Sequence, residues 1–128
     1  MHKKVIHTHD APAAIGPYSQ AIAAHNLLFI SGQLPVDPGT GEVVAGGAKE
    51  QALQSLANLL AILKASGTDV HAVVKTTVFL KDLADFQIVN EVYAGVFTKD
   101  YPARACVQVA KLPKDVLVEV EAIAILEN

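Results

Sequence analysis

Val116-Leu-Val-Glu-Val-Glu-Ala-Ile-Ala-Ile-Leu126 decides how this chain folds. Valine and isoleucine recur through it and neither Gly nor Pro interrupts it, so it reads as one strand. Successive side chains of a strand point to opposite faces, which puts Val116, Val118, Val120, Ala122 and Ala124 on one side. Leu117, Glu119, Glu121, Ile123 and Ile125 share the other. The first set is small and apolar and suits a cover of helices. The second is also largely apolar, yet it carries two carboxylates, and partly buried carboxylates need cations or donors nearby.

Two helices are legible upstream. From about Ala48 to Ala65 the residues Ala52, Leu56, Leu59, Leu60 and Leu63 recur at helical spacing, and Gly67 supplies a left-handed stop. Asp82 or Asp85 can cap the second helix, whose face is Phe86, Val89, Tyr93, Val96 and Phe97 before Pro102 forbids continuation. Strands are expected at Ala24 to Ser31, which contains Leu-Leu-Phe-Ile, at Val70 to Lys81 and at Cys106 to Val109. Gly32-Gln-Leu-Pro-Val36 leads into the turn cluster Asp37-Pro-Gly-Thr-Gly41, after which Val43-Val44 is expected to pair back as a hairpin. The order β-β-α-β-α-β-β predicts an α+β fold: a single sheet with both helices on one face. Two helices cannot cover both faces of that sheet, so the second apolar face is expected to meet other copies of the chain.

Composition agrees. The 128 residues suit a single domain, 1–128, with one core. A hydrophobic share of 52% against 18% charged residues exceeds what so small a body can hide, which again points to a subunit interface. The apolar runs are too short to span a membrane, and Met1-His-Lys-Lys-Val-Ile-His7 has no signal-peptide core. The lone Cys106 rules out an intrachain disulfide framework and suits a reducing, cytoplasmic setting. A net charge of −3 and a pI near 5.9 give no footprint for a polyanion, so nucleic acid is not expected as the main partner.

Arg104, in Tyr101-Pro-Ala-Arg-Ala-Cys-Val107, is the only arginine. A planar guanidinium grips a carboxylate through two parallel hydrogen bonds, which lysine cannot reproduce. If Arg104 faces a pocket, its ligand carries a carboxylate or a phosphate, and Glu119 is a candidate base or water-holder. A surface arginine fits the same residues equally well.

Six segments in order resemble the RidA/YjgF family: Ala14-Ile-Gly-Pro-Tyr-Ser-Gln-Ala21, Ser31-Gly-Gln-Leu-Pro35, Val74 through Leu83, Val89-Asn-Glu-Val-Tyr93, Pro102-Ala-Arg-Ala-Cys106, and Leu112 through Ala122. The resemblance runs nearly end to end. It implies a chorismate-mutase-like fold assembling as a homotrimeric barrel, with ligand sites in clefts between subunits. It also implies deamination of reactive 2-imino acids, such as 2-iminobutanoate and 2-iminopropanoate, to 2-keto acids and ammonia without a cofactor. By position, Arg104 resembles the arginine that binds the substrate carboxylate and Glu119 the acid that activates water. Tyr18 resembles an aromatic that lines the cleft from the neighbouring subunit, and Ser31, Asn90 and Cys106 complete the wall. Members often carry a hydroxyl residue after the arginine, where this chain has Ala105, which predicts an altered substrate preference or rate.

Each supporting residue has a plainer reading. Tyr18 after Gly16-Pro17 suits a turn packed on a neighbour, Ser31 suits a turn, and mid-helix Asn90 suits a hydrogen bond to a loop. Cys106 has no histidine near it in sequence and suits packing. Glu121 suits a wet rim that keeps an interface soluble. His7-Thr-His9 offers two metal ligands without a third at suitable spacing, so no metal is expected. Two further functions share these residues: a non-catalytic module that binds a small carboxylate, and a ribonuclease or translation inhibitor, which the acidic balance disfavours.

Overall fold

The chain runs β1 (Lys3–Ile6), β2 (Ala21–Ala24), β3 (Leu27–Gln33), α1 (Ala48–Ala65), β4 (Val73–Leu80), α2 (Phe86–Val96), β5 (Ala103–Gln108) and β6 (Val118–Ile125) in the computed structural model, which describes residues 2–127. The six strands form one mixed sheet in the order β1-β2-β3-β6-β4-β5. Every neighbouring pair is antiparallel except β4 and β5, which run parallel.

Strand β6 is buried alternately, as the period of its residues requires. Val118, Val120, Ala122 and Ala124 are buried in the core with Leu56, Leu59, Ile62 and Leu63 of α1 and Val89, Val92 and Tyr93 of α2. Burying each large aliphatic side chain there contributes roughly 1.5–3 kcal/mol. Among the described residues no helix covers the opposite face. Across it Val5, Ile22, Phe29 and Ile123 are cross-strand neighbours in one row, with Phe29 43% exposed. Beside that row a cavity of about 180 Å³ is lined by Phe29, Lys75, Thr77, Glu121 and Ile123.

Helix α1 has the predicted boundaries. Gly46 stands at its start with φ +112°, and the Glu50 carboxylate accepts from the Gly47 amide at 2.9 Å. Gly67, φ +82°, lies just past its end. Helix α2 stops at Val96, six positions before Pro102.

The structure departs from the expectations at several points. The strand expected at Ala24 to Ser31 is β3, beginning at Leu27, and β2, Ala21–Ala24, precedes it across a turn at His25-Asn26 with His25 at φ 55°. Histidine and asparagine tolerate that left-handed turn without glycine. Strand β1 was not anticipated, because its exposed Lys3 and Lys4 break the apolar pattern. Val43 and Val44 do pair back across the turn, through the antiparallel bridge Val36–Val43 and the bonds from Val44 N–H to the Pro35 carbonyl at 3.0 Å and from Asp37 N–H to the Glu42 carbonyl at 2.9 Å, without extending into a strand. Val70 to Ala72 are a short 3-10 turn capped by Asp69, and β5 starts at Ala103 rather than at Cys106. The exposed side chains of β5 give it no burial pattern to read, and its place is set by pairing with β4.

Candidate active site

Arg104 lies within β5, opposite Thr76 of the parallel strand β4. Its side chain points to the helix side of the sheet. There Nη1 donates to Asn90 Oδ1 at 2.7 Å, and the guanidinium carbon sits 4.7 Å from the centroid of the Tyr93 ring and 5.7 Å from that of Phe86. A cation over an aromatic face is attracted by the ring quadrupole. Arg104, Asn90, Tyr93, Ala94, Tyr101 and Pro102 line an open cavity of about 490 Å³. Cys106, two residues on and on the same side, is half-buried. Burial pushes its thiol up, against the opposing pull of the Arg104 charge, so at neutral pH it is a packing group and a poor nucleophile.

Glu119 occupies the uncovered face of β6, beside Phe79 of β4. A Cβ on Gly32 would collide with its carboxylate, so the absence of a side chain at that position makes room for the acid. Burial, and then the charge of Glu121 two residues along the same face, raise its pKa. Ser31 and Gly32 form a bulge: between the pairs Ile30–Ala122 and Gln33–Val120, two residues of β3 face the single Glu121 of β6. Bulges re-aim side chains and are frequent next to active sites.

Tyr18 reaches the Gly32 side of this arrangement. With Pro12, Ile15, Leu34, Val36 and Gly32 it lines a largely apolar cavity of about 180 Å³. Its loop is tied down by two buried or half-buried polar side chains. Ser31 Oγ donates to the Ser19 carbonyl at 2.6 Å, and Gln20 Nε2 donates to the carbonyls of Thr8, Ala11 and Pro12 at 3.0, 3.2 and 2.9 Å. Ser31 therefore fixes the Tyr18 loop through its hydroxyl.

The six residues singled out from sequence thus fall into two groups. Arg104, Asn90 and Cys106 gather on the helix side at the β5 edge, whereas Glu119, Ser31 and Tyr18 gather around Gly32. Sequence left four members of these groups unassigned: Gly32, Phe86, Tyr93 and Lys114. Gly32 was read as the start of a turn segment, and its contact with Glu119 is non-local. Phe86 and Tyr93 were read as core, although with Asn90 they share an i, i+4, i+7 stripe of α2 that the sequence does display. Lys114, on the rim of the Tyr18 cavity, adopts a left-handed φ of 57° with no glycine to mark it.

His7 and His9 stack edge-on at 4.9 Å, and among the described residues no group of three or more metal-ligating side chains occurs. No helix among them is long and apolar enough to cross a membrane.

A family model described as Endoribonuclease L-PSP matches residues 8–126. A RutC family protein of Pyrococcus horikoshii is 57% identical, over 98% of this chain and 99% of its own length. A human protein named 2-iminobutanoate/2-iminopropanoate deaminase is 52% identical, over 96% of this chain and 90% of its own. The crystal structure of E. coli TdcF with bound serine superposes with a TM-score of 0.92 at 50% identity, covering 97% of this chain and 99% of that one. The match over nearly the whole length, together with the sheet and helix arrangement above, shows that this chain belongs to the RidA/YjgF family.

Proposed function

We propose that the protein hydrolyses 2-imino acids, such as 2-iminobutanoate and 2-iminopropanoate, to 2-keto acids and ammonia, in clefts between the subunits of a cytoplasmic homotrimer. The observation that carries this reading is the guanidinium of Arg104, held against Asn90 and Tyr93 with no other hydrogen bond or salt bridge among the described residues. Its remaining edge is free to take a carboxylate through two parallel bonds. The activity for which the human relative is named and the serine bound by TdcF support the same chemistry, and the uncovered apolar face suits association.

The reaction asks little beyond placement. The bound imine carries a proton on nitrogen, which makes its carbon strongly electrophilic, and a water held beside it adds as one water proton passes to Glu119, giving a neutral carbinolamine. Glu119 returns that proton to nitrogen; the C–N bond then breaks, ammonia leaves, and Glu119 takes the proton of the hydroxyl that becomes the carbonyl. Its raised proton affinity suits both halves of this exchange, since a carboxylate with the usual pKa is a weak base near neutral pH. Tyr18 and Ser31 shape the wall, and Cys106 packs behind Arg104.

A second reading keeps the cleft and drops the turnover: a module that binds a small carboxylate, favoured by the serine named for TdcF. Cleavage of RNA, suggested by the description of the family model, fits this chain less well, because its net charge of −3 repels a phosphate backbone. The test couples threonine dehydratase and threonine to the purified protein and follows keto-acid formation with semicarbazide present to trap the imine. Hydrolysis that outruns the trap supports the deaminase. An unchanged yield of semicarbazone from folded, oligomeric protein leaves the binding module.

A further inference from the structure

Phe86, Asn90 and Tyr93 form a single stripe along α2, and the Arg104 side chain lies across it. Tyr93 is buried, and its hydroxyl lies 2.7 Å from Thr76 Oγ1. Thr76 is the residue that pairs with Arg104 in the parallel β4–β5 ladder. A closed circuit results: the backbone of Arg104 is referred to Thr76 by the sheet, Thr76 fixes the Tyr93 ring, and that ring supports the guanidinium. Phe86 and Asn90 differ from Tyr93 in being exposed, so neither is needed to fill the core. An arginine on an edge strand would otherwise sample many rotamers, and holding it in one beforehand removes much of the ordering cost of binding.

We propose that Phe86, Asn90 and Tyr93, with Thr76 behind them, are positioning residues that pre-orient Arg104 so that Asn90 occupies Nη1 and the edge made by Nε and Nη2 receives the ligand carboxylate. This rests on the reading of Arg104 as the carboxylate anchor. It assigns to α2 a role in ligand capture as well as in the core, and it sets the approach of the ligand from the side of Tyr101 and Pro102, which line the same cavity.

The test measures binding of 2-oxobutanoate, a stable carboxylate, by NMR titration, alongside KM and kcat from the semicarbazide competition. The variants are Phe86→Leu, Asn90→Leu, Arg104→Ala and the two doubles that combine Arg104→Ala with each α2 change; Thr76→Val reports on the circuit behind Tyr93. Phe86→Leu and Asn90→Leu should each weaken binding about threefold to tenfold, with KM rising more than kcat falls. Neither should weaken it further once Arg104 is alanine, because a positioning residue has nothing left to position. Equal losses with and without Arg104 would mean that α2 acts on the fold alone. Wild-type binding by both single variants would sink the proposal while leaving Arg104 as the anchor. Wild-type binding by Arg104→Ala would instead remove the anchor itself, and this inference with it.

Discussion

Arg104 and Glu119 lie on opposite faces of one sheet. Arg104 pairs with Thr76 and turns to the helices, whereas Glu119 pairs with Phe79 and turns to the uncovered face, with β4 between their strands. Within one protomer the two side chains cannot reach a ligand as small as a four-carbon imino acid. A site that uses both must take Arg104 from one copy and Glu119 from another. Arg104→Ala and Glu119→Ala should therefore each be inactive alone, and refolding an equal mixture should restore activity to about one site in four, the yield for sites shared between neighbours. No recovery on mixing, with oligomers shown to have exchanged subunits, would place both residues in one protomer's contribution.

Removing the acid separates catalysis from capture. Glu119→Gln keeps the shape beside Gly32 and should lower kcat by about 10²- to 10⁴-fold while affinity for 2-oxobutanoate stays within about threefold. A parallel loss of affinity and rate would show that Glu119 holds the ligand rather than the water.

Gly32 is needed for what it lacks. A Cβ there meets the end of the Glu119 side chain and not backbone, so Gly32→Ala should fold normally but displace the carboxylate. Misplacement on the scale of an ångström costs about 100-fold in rate. Circular dichroism and thermal melting should match wild type while kcat falls; retention of full activity would show that Glu119 acts from another rotamer.

The pH dependence follows from the raised pKa of Glu119. The acid must be ionised to accept a proton, so kcat/KM should climb with pH through a limb displaced above the ordinary glutamate range. Glu121 shares its face and adds negative charge. Glu121→Gln should move that limb to lower pH. For stability the sign is opposite to that of a salt-bridged carboxylate. Because folding raises this pKa, the contribution of Glu119 is fully present below its unfolded value and is lost as pH rises through the folded one. Glu119→Gln should flatten that decline in urea titrations run across the interval.

In the proposed homotrimer the uncovered face should hold the copies together. Phe29 and Ile123 are neighbours in its apolar row, and Ile123→Asp should dissociate the oligomer, as read by sedimentation, and abolish turnover with it. A monomer that retained full activity would remove the need for sites shared between copies.

Much of this was legible in residue order because the signal is local. The period of two in Val118–Ile125 gave both faces of the sheet, and the three- and four-residue steps gave α1 and α2, since each pattern follows from the geometry of its own element. Arg104 stood out as the only guanidinium, and Glu119 as a carboxylate on an apolar strand. Tertiary structure decided the rest. Strand β5 shows no burial pattern, and only its parallel pairing with β4 lays Arg104 across the stripe of α2. The Ser31–Gly32 bulge exists only where β3 meets β6, and that meeting puts a glycine against Glu119 from 87 positions away along the chain. Sequence determined which groups could do chemistry. The pairing of strands distant in the chain, whose register no local period encodes, decided that they would face opposite ways.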